Sequence, residues 1–352
     1  MNNSLHRLPD IFSYTFLELK NFITEILQQP NYRAKQIFQW LYRDIQSFEQ
    51  MTNIPKSLRT ELVRNFSFYN PIIIQTLESS DHTAKYLMEL EDGAVIEVVK
   101  MEYHHGISAC ISTQVGCKMH CAFCASGKNG FFRNLTAGEM IQQLLLIQRQ
   151  VGKRVGSVVL MGSGEPLDNF SELTKFLNIV HNANGLNLGY RHITISTCGI
   201  APKIYELADF KLPITLAISL HAPSDELRNR LVPINRKYPL AEIIQACKYY
   251  LKKTNRRITF EYSLIAGIND SPLHAKALGR LLSGLLCHVN LIPVNSAELP
   301  QEDKFQPSSS REVLNFQHIL ENSHIPTSIR RTLGDDIQAA CGQLKCRYSK
   351  KS

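Results

Sequence analysis

The most useful features of this 352-residue sequence are at first the ones it lacks. No apolar run approaches the ~20 residues that would span a bilayer. No cationic stretch followed by an apolar run opens the chain, so a secretory signal is not expected. No low-complexity tract interrupts a globular composition of 44% hydrophobic and 20% charged residues. A disulfide framework is missing as well. The cysteines number nine, an odd count, and several stand in close motif spacing, which fits a reduced, cytoplasmic compartment better. Acidic residues are the scarcer charge: 31 against 39 basic, for a net charge of +8 and a pI near 9.0. Basic residues gather at Arg228-Asn-Arg230, Arg236-Lys237, Lys252-Lys253, Arg256-Arg257, Arg330-Arg331 and from Lys345 to Lys351. Singly, each reads as a solvated face. Together they point to a polyanionic partner, nucleic acid, because net charge speaks to association and not to fold.

The length suits one large domain with a smaller one attached. Residues 14–66 read as helical. Thr15-x-x-Glu18 is a capping box opening an amphipathic run to Leu27, and Arg33 to Arg43 repeats apolar positions at helical spacing. Asn53-Ile-Pro55 breaks the pattern before a short helix from Leu58 to Phe66. Two alternating runs follow, Lys85–Leu90 and Ala94–Met101, joined by Asp92-Gly93, the strongest short hairpin signal. From Ile107 onward strands alternate with helices. Strand-like runs are Ala109–Thr113, Ser157–Met161, His192–Ser196, Thr215–Leu220, Ile258–Ile265 and His288–Ile292. Helices follow, several behind capping patterns at Thr136-x-x-Glu139, Asn169-x-x-Glu172 and Ser309-x-x-Glu312. Six β–α units in series imply a parallel sheet with right-handed crossovers.

Polar residues end most of these strands, and in barrel-like α/β enzymes the carboxyl ends of the strands carry the site. Strand one leads into Cys117-Lys-Met-His-Cys121-Ala-Phe-Cys124, a C-x3-C-x2-C spacing. Three thiolates this close can hold three corners of a cubane iron–sulfur cluster, leaving the fourth iron without a protein ligand. Zinc is the alternative. Structural zinc wants four ligands, usually in C-x2-C pairs, and His120, directly beside Cys121, would have to fold back sharply to complete a set. Strand two ends in Gly162-Ser-Gly164-Glu165-Pro166, where glycines let backbone approach closely. Ser196-Thr-Cys-Gly199, Ser219-Leu220-His221 and Asn295 end three others.

The cysteine spacing, with an aromatic residue just before the last cysteine, resembles the signature of the radical S-adenosylmethionine (SAM) enzymes. Gly164-Glu165-Pro166 resembles their second motif. Residues 97–135, with Glu97, Ala-Cys110-Ile-Ser-Thr-Gln-Val-Gly-Cys117 and Phe131-x-Arg-Asn-Leu135, resemble the RlmN/Cfr family of radical SAM RNA adenine methyltransferases. So does Gly334-Asp-Asp-Ile-Gln-Ala-Ala-Cys341-Gly-Gln-Leu344. The likeness runs from Tyr32-Arg-Ala-Lys-Gln to Leu344, and the helical N-terminal module leans to the RlmN branch.

The resemblance implies an α/β fold: a partial (β/α)6 radical SAM barrel with a small N-terminal helical domain and a β-hairpin linker. The expected division is residues 1–70, 71–102 and 103–344, with a basic tail at 345–352. It implies one 4Fe-4S cluster on Cys117, Cys121 and Cys124, and SAM as cofactor, contacted by Gly164, Glu165, Ser196, Ser219, Leu220, His221 and Asn295. Methylation of adenine carbon-2 in 23S rRNA, and in the tRNA anticodon loop, would pass through a methylated Cys341. Cys110 would then close a disulfide with Cys341, Glu97 would accept a proton, and a flavodoxin or ferredoxin would supply electrons. The Cfr branch would methylate carbon-8 instead. Two other readings stay open: a radical SAM enzyme acting on a peptide or small molecule, and a zinc-stabilised RNA-binding protein. Cys198, Cys247 and Cys287 read as core cysteines, and Cys346 has no assigned role. Tyr32, Arg33, Lys35 and Trp40 are candidates for gripping RNA, although Phe38 and Trp40 also suit the module's own core.

Overall fold

The computed structural model describes residues 8–128, 130–294, 305–331, 333–334, 336–339, 343–344 and 347–348. Helices α1 (Phe16–Asn21), α2 (Tyr32–Leu41) and α3 (Lys56–Asn65) build the N-terminal module. The expected capping box opens α1: Glu18 N donates to the Thr15 hydroxyl, and the Glu18 carboxylate accepts from Thr15 N at 2.7 Å. Such a box stabilises a short helix by ~1 kcal/mol. Leu19, Ile23, Ile37, Phe38, Leu41, Leu58 and Leu62 bury the inner faces of these helices, at the three- and four-residue intervals that make one helical stripe.

The module packs on α4 (Ala137–Val151), the first helix of the barrel. Gly138 N donates to Ser13 Oγ at 3.1 Å, and the Asp10 carboxylate occupies the space a side chain at Gly138 would need. Burial pushes the Asp10 carboxyl up to about 7, against the hydrogen bond it accepts from Phe12 N.

Strands β1 (Ile72–Glu78), β2 (Ala84–Glu89), β3 (Ala94–Tyr103) and β4 (Gly106–Cys110) follow one another antiparallel. β5 (Gln114–Gly116) and β6 (Phe131–Asn134) form a separate small ribbon around the cysteine loop. The alternation then continues as α4, β7 (Val155–Leu160), α5 (Phe170–His181), β8 (Ile193–Thr197), α6 (Ala201–Asp209) and β9 (Thr215–Ser219). Next come α7 (Asp225–Leu231), α8 (Leu240–Thr254), β10 (Ile258–Leu264), α9 (Pro272–Leu282), β11 (Cys287–Pro293), α10 (Ser310–Asn322), β12 (Thr327–Ile329) and β13 (Arg347–Tyr348). The main sheet runs β1-β2-β3-β4-β7-β8-β9-β10-β11-β12, parallel from β4 onward, with β13 added to the start of β3. The order is a path with two free ends, so the sheet does not close. It is the α/β partial barrel the sequence implies.

Each of the six expected strands is present, shifted by one to three residues. The expected hairpin is larger than a linker. β1 joins it, and β3 pairs directly with β4, so the antiparallel strands extend the barrel's own sheet. The capping expected from Asn169 and Glu172 is not made. The Asn169 amide donates instead to the carbonyls of Thr113 and Leu135, and Glu172 accepts from Ala137 N at 2.8 Å, capping the neighbouring helix α4. No helix among the described residues is long and apolar enough to cross a membrane.

Candidate functional site

A cavity of about 930 Å³ opens at the carboxyl ends of the parallel strands. Cys117, Cys121 and Cys124 line it together with Gly164, Glu165, Ser196, Ser219 and His221. The cysteine loop is shaped by a close backbone approach: a side chain at Gly116, φ +77°, would lie 1.9 Å from the carbonyl oxygen of Gly130. Cys117 N donates to that carbonyl, and Ala122 N donates to Leu231 O at 2.9 Å. Burial pushes the Cys117 thiol up to about 12 and that of Cys121 well above its ordinary value, and each thiol's charge raises its neighbours further. Thiolates placed this way stay charged only against a strongly cationic centre, which is what an iron–sulfur cluster supplies. Among the described residues no three His, Cys, Asp or Glu side chains gather closely enough to hold a single metal ion. All three thiols line the cavity, and His120 is exposed and outside its lining. Three thiols without a fourth donor suit a cubane cluster with one open iron and fall one short of the four ligands of structural zinc.

Glu165 is 3% exposed and fixed on both oxygens. Oε1 accepts from Leu167 N at 3.0 Å and Oε2 from Cys198 N at 2.8 Å, while its own N–H donates to Gln114 Oε1. Burial raises its carboxyl, against these hydrogen bonds. The side chains of Thr197 and Cys198 add hydrogen bonds to the same carboxylate, so backbone and side-chain donors together hold it in place at the cavity wall. Gly164 has φ +107°, and a side chain there would come within 2.7 Å of Thr113 Oγ1 and Gln114 Cβ. Ser196 and Ser219, at the ends of β8 and β9, face each other with Oγ atoms 3.3 Å apart. His221 accepts on Nδ1 from Ser263 N, and burial beside the Arg228 charge pushes its imidazole down to about 3, so the ring is neutral. Phe123, from the cysteine loop, meets that ring edge-on at 4.7 Å.

Leu220 does not join this lining. Its side chain is fully buried, its N–H donates to Glu261 O and its carbonyl accepts from Arg228 Nε. Asn295, Cys341 and Cys346 lie outside the described residues. Cys110 and Glu97 stand together elsewhere. Cys110 pairs in register with Val99, two residues along β3 from Glu97, so alternation puts both side chains on one face of the sheet. There Cys110 forms a buried cluster with Val99, Met101 and Leu344, against which Met161, Leu333 and Ala339 pack. Met161 also lines the large cavity, which puts the two groups side by side. Glu97 is 8% exposed, and its Oε1 lies 3.6 Å from Lys85 Nζ. Among the described residues every cysteine is free of disulfides.

Several residues of the site were not legible in the sequence. Arg228, counted there with the surface charges, is fully buried behind the cavity floor and donates to the carbonyls of Cys198, Ser219 and Leu220 and to Asn235 Oδ1. A charge in sequence carries no mark of burial. Cys198 is in the core, as expected, and also lines the cavity, where its thiol hydrogen-bonds the Glu165 carboxylate. Glu261 and Arg330 complete the wall, with Arg330 Nη1 4.0 Å from Glu261 Oε2. In the N-terminal module Tyr32 and Lys35 are exposed, Arg33 lies over the Tyr32 ring, Trp40 is half-buried and Phe38 belongs to the core.

Comparison with known proteins places this geometry among relatives. Residues 111–277 match the radical SAM superfamily, and residues 10–67 match the ribosomal RNA large subunit methyltransferase N-terminal domain. A Clostridium botulinum protein described as a probable dual-specificity RNA methyltransferase RlmN is 53% identical over 97% of this chain and 98% of its own length. A protein of the same description from Thermoanaerobacter sp. is 51% identical over 99% and 100%. The crystal structure of a radical SAM methyltransferase from Sphaerobacter thermophilus superposes with a TM-score of 0.90 at 42% identity, covering 96% of this chain and 99% of that one.

Proposed function

Because the chain belongs to the RlmN family of radical SAM RNA methyltransferases, we propose that it methylates carbon-2 of one adenosine in 23S rRNA and one in the tRNA anticodon loop, using Cys341 as methyl carrier. As a member of that family it is a SAM-dependent RNA methyltransferase working with a 4Fe-4S cluster. When bound, the cluster supplies an iron that takes SAM and the electron that cleaves it. An external one-electron donor such as flavodoxin or ferredoxin delivers that electron.

In this reading Cys117, Cys121 and Cys124 hold the cluster. Glu165, kept rigid by Leu167 and Cys198, receives the ammonium of SAM, and Gly164 lets the backbone come close to it. Ser196, Ser219 and neutral His221 offer hydrogen bonds to the remaining polar groups of the cofactor. Leu220 stands behind the lining, its backbone held by Glu261 and Arg228, and Asn295 follows β11 by two residues in sequence. The electrophilic carbon-2 of adenine cannot be reached by the electrophilic methyl of SAM, so a protein sulfur carries the carbon first. Cys341 would give up its thiol proton and take the methyl of one SAM, with S-adenosylhomocysteine as the leaving group. A hydrogen atom would pass from that S-methyl group to the deoxyadenosyl fragment of a second SAM, and the carbon would bond to carbon-2 of the base. Glu97 would accept the proton that carbon-2 sheds, with one electron returning to the external carrier. Cys110, as thiolate, would attack the Cys341 sulfur; the sulfur–carbon bond breaks, the carbon takes a proton to become the methyl group, and external thiols reduce the disulfide left behind.

One observation carries the proposal: Cys110 shares a buried cluster with Leu344, against which Leu333 and Ala339 also pack, so residues that flank Cys341 in sequence gather at Cys110, and Met161 joins that cluster to the cavity lined by the three motif cysteines. Exposed Arg230, Arg236, Lys237 and Lys252, with Tyr32 and Lys35, offer the RNA a basic surface. The target adenine has to leave its stack, because its reacting edge is hidden in folded RNA. Mass spectrometry of nucleosides from rRNA and tRNA of a deletion strain tests the assignment. Loss of 2-methyladenosine from both is expected; its retention, or loss of 8-methyladenosine instead, overturns it.

A further inference from the structure

A single buried ammonium joins two parts of the protein that methyl transfer has to keep in register. Lys85, on β2, is 4% exposed. Its Nζ lies 3.6 Å from Glu97 Oε1 on β3 and donates at 3.0 Å to the carbonyl of Gln338, 253 positions away in the C-terminal segment. Taking an ammonium out of water costs several kcal/mol unless its partners satisfy it. An apolar side chain would fill the same strand position without that penalty, so packing alone does not account for a lysine here.

Other contacts bind the same segment. Asp81 Oδ2 accepts from Gly334 N at 3.0 Å, Asp336 Oδ2 accepts from Ser80 N at 3.4 Å, and Ser126 Oγ donates to Leu344 O at 2.9 Å. Gly334 has φ +64°, and a side chain there would meet the Ala339 Cβ at 2.8 Å and Thr83 Cγ2 at 2.9 Å. The β1–β2 turn and β2 thus grip one end of the segment, and the residue two beyond Cys124 grips the other.

We propose that Lys85 is a positioning residue for methyl transfer, holding Glu97 and the C-terminal segment at a fixed separation. The proposal rests on the reading of Cys341 as methyl carrier. Lys85 stands on β2, which pairs with β1 and β3 and not with the parallel strands whose ends line the cavity. Its loss therefore leaves SAM cleavage intact and impairs delivery of the methyl group, since a misplacement of ~1 Å at a reacting centre costs ~10²-fold.

The test uses the full-length reconstituted enzyme and a 23S rRNA fragment spanning the peptidyl-transferase centre. Lys85→Met should lower kcat for methylation by ~10²-fold with an unchanged KM for the RNA, so that SAM cleaved per methyl transferred rises. Lys85→Arg, which keeps the charge, should recover most of kcat. An unaltered kcat in Lys85→Met, or equal losses of cleavage and methylation, overturns the proposal. Should Lys85→Met fail to fold, Asp81→Ala decides. Slower methylation with normal cleavage supports the clamp, and no change in either overturns it. Cys341→Ala separates the two readings. If it still methylates RNA, the carrier assignment fails. If it is inactive while Lys85→Met is fully active, only the positioning role falls.

Discussion

Around the cofactor end of the cavity the chain is gripped from many sides. Glu165 is fixed by backbone donors from two segments, and Arg228 ties together the ends of β8 and β9 with three hydrogen bonds and holds Asn235 with a fourth. The C-terminal segment is held differently. Its described residues meet the rest through hydrogen bonds with Asp81, Lys85 and Ser126, through Leu333, Ala339 and Leu344 at the Cys110 cluster, and through the short pairing of β13 with β3. The contrast teaches a division of labour. A cofactor that reacts in one pose rewards a frame braced from every side, whereas the segment around Cys341 in sequence is fastened to the first strands of the sheet and to the cysteine loop, which sets its distance from Glu97.

Breaking the rigid side should cost most. Cys121→Ala removes one of three cluster ligands, and the anaerobically reconstituted protein should hold almost no iron or sulfide and show no methylation. Colour and iron analysis check this. Arg228→Leu leaves three backbone carbonyls without their buried donor, and unfolding experiments should show a loss of ~3 kcal/mol or more. Glu165→Gln turns an acceptor oxygen into a donor facing a backbone N–H. SAM should bind about 10- to 100-fold more weakly, with iron content unchanged.

On the tethered side, Asp81→Ala should raise amide hydrogen exchange in residues 333–344 while exchange in β8 to β10 stays as it was. The smallest effect is expected at the seam between the module and α4. The folded Asp10 carboxyl sits near 7, above its ordinary 3.8, so the folded state holds a proton that the unfolded chain releases. Stability from this group is therefore greatest at low pH and declines as pH rises from about 4 to 7. Against Asp10→Asn, the wild-type melting temperature should fall by roughly 2–4 °C more across that window.

The barrel strands and the cavity-lining residues were legible because both are written in local pattern. Alternating apolar runs give the strands, and polar residues just past them give the strand ends. Cys117, Cys121, Cys124, Gly164, Glu165, Ser196, Ser219 and His221 line the cavity together, as their positions at those ends suggest. What stayed hidden is what depends on distant neighbours. Arg228 looks like any surface arginine until the fold wraps around it. β1 escaped notice because its Ile-Ile-Ile run is largely exposed at the sheet's outer edge, without alternation, and β12 because three residues carry no period. Glu172 has the spacing to cap its own helix, yet caps the one beside it.

A barrel whose wall stops at β1 on one side and β12 on the other has a doorway rather than a lid. A free metabolite could enter a sealed chamber and wait for it to close, but a base attached on both sides to a polymer cannot be swallowed whole. The missing staves let such a guest put its head inside while its shoulders stay out.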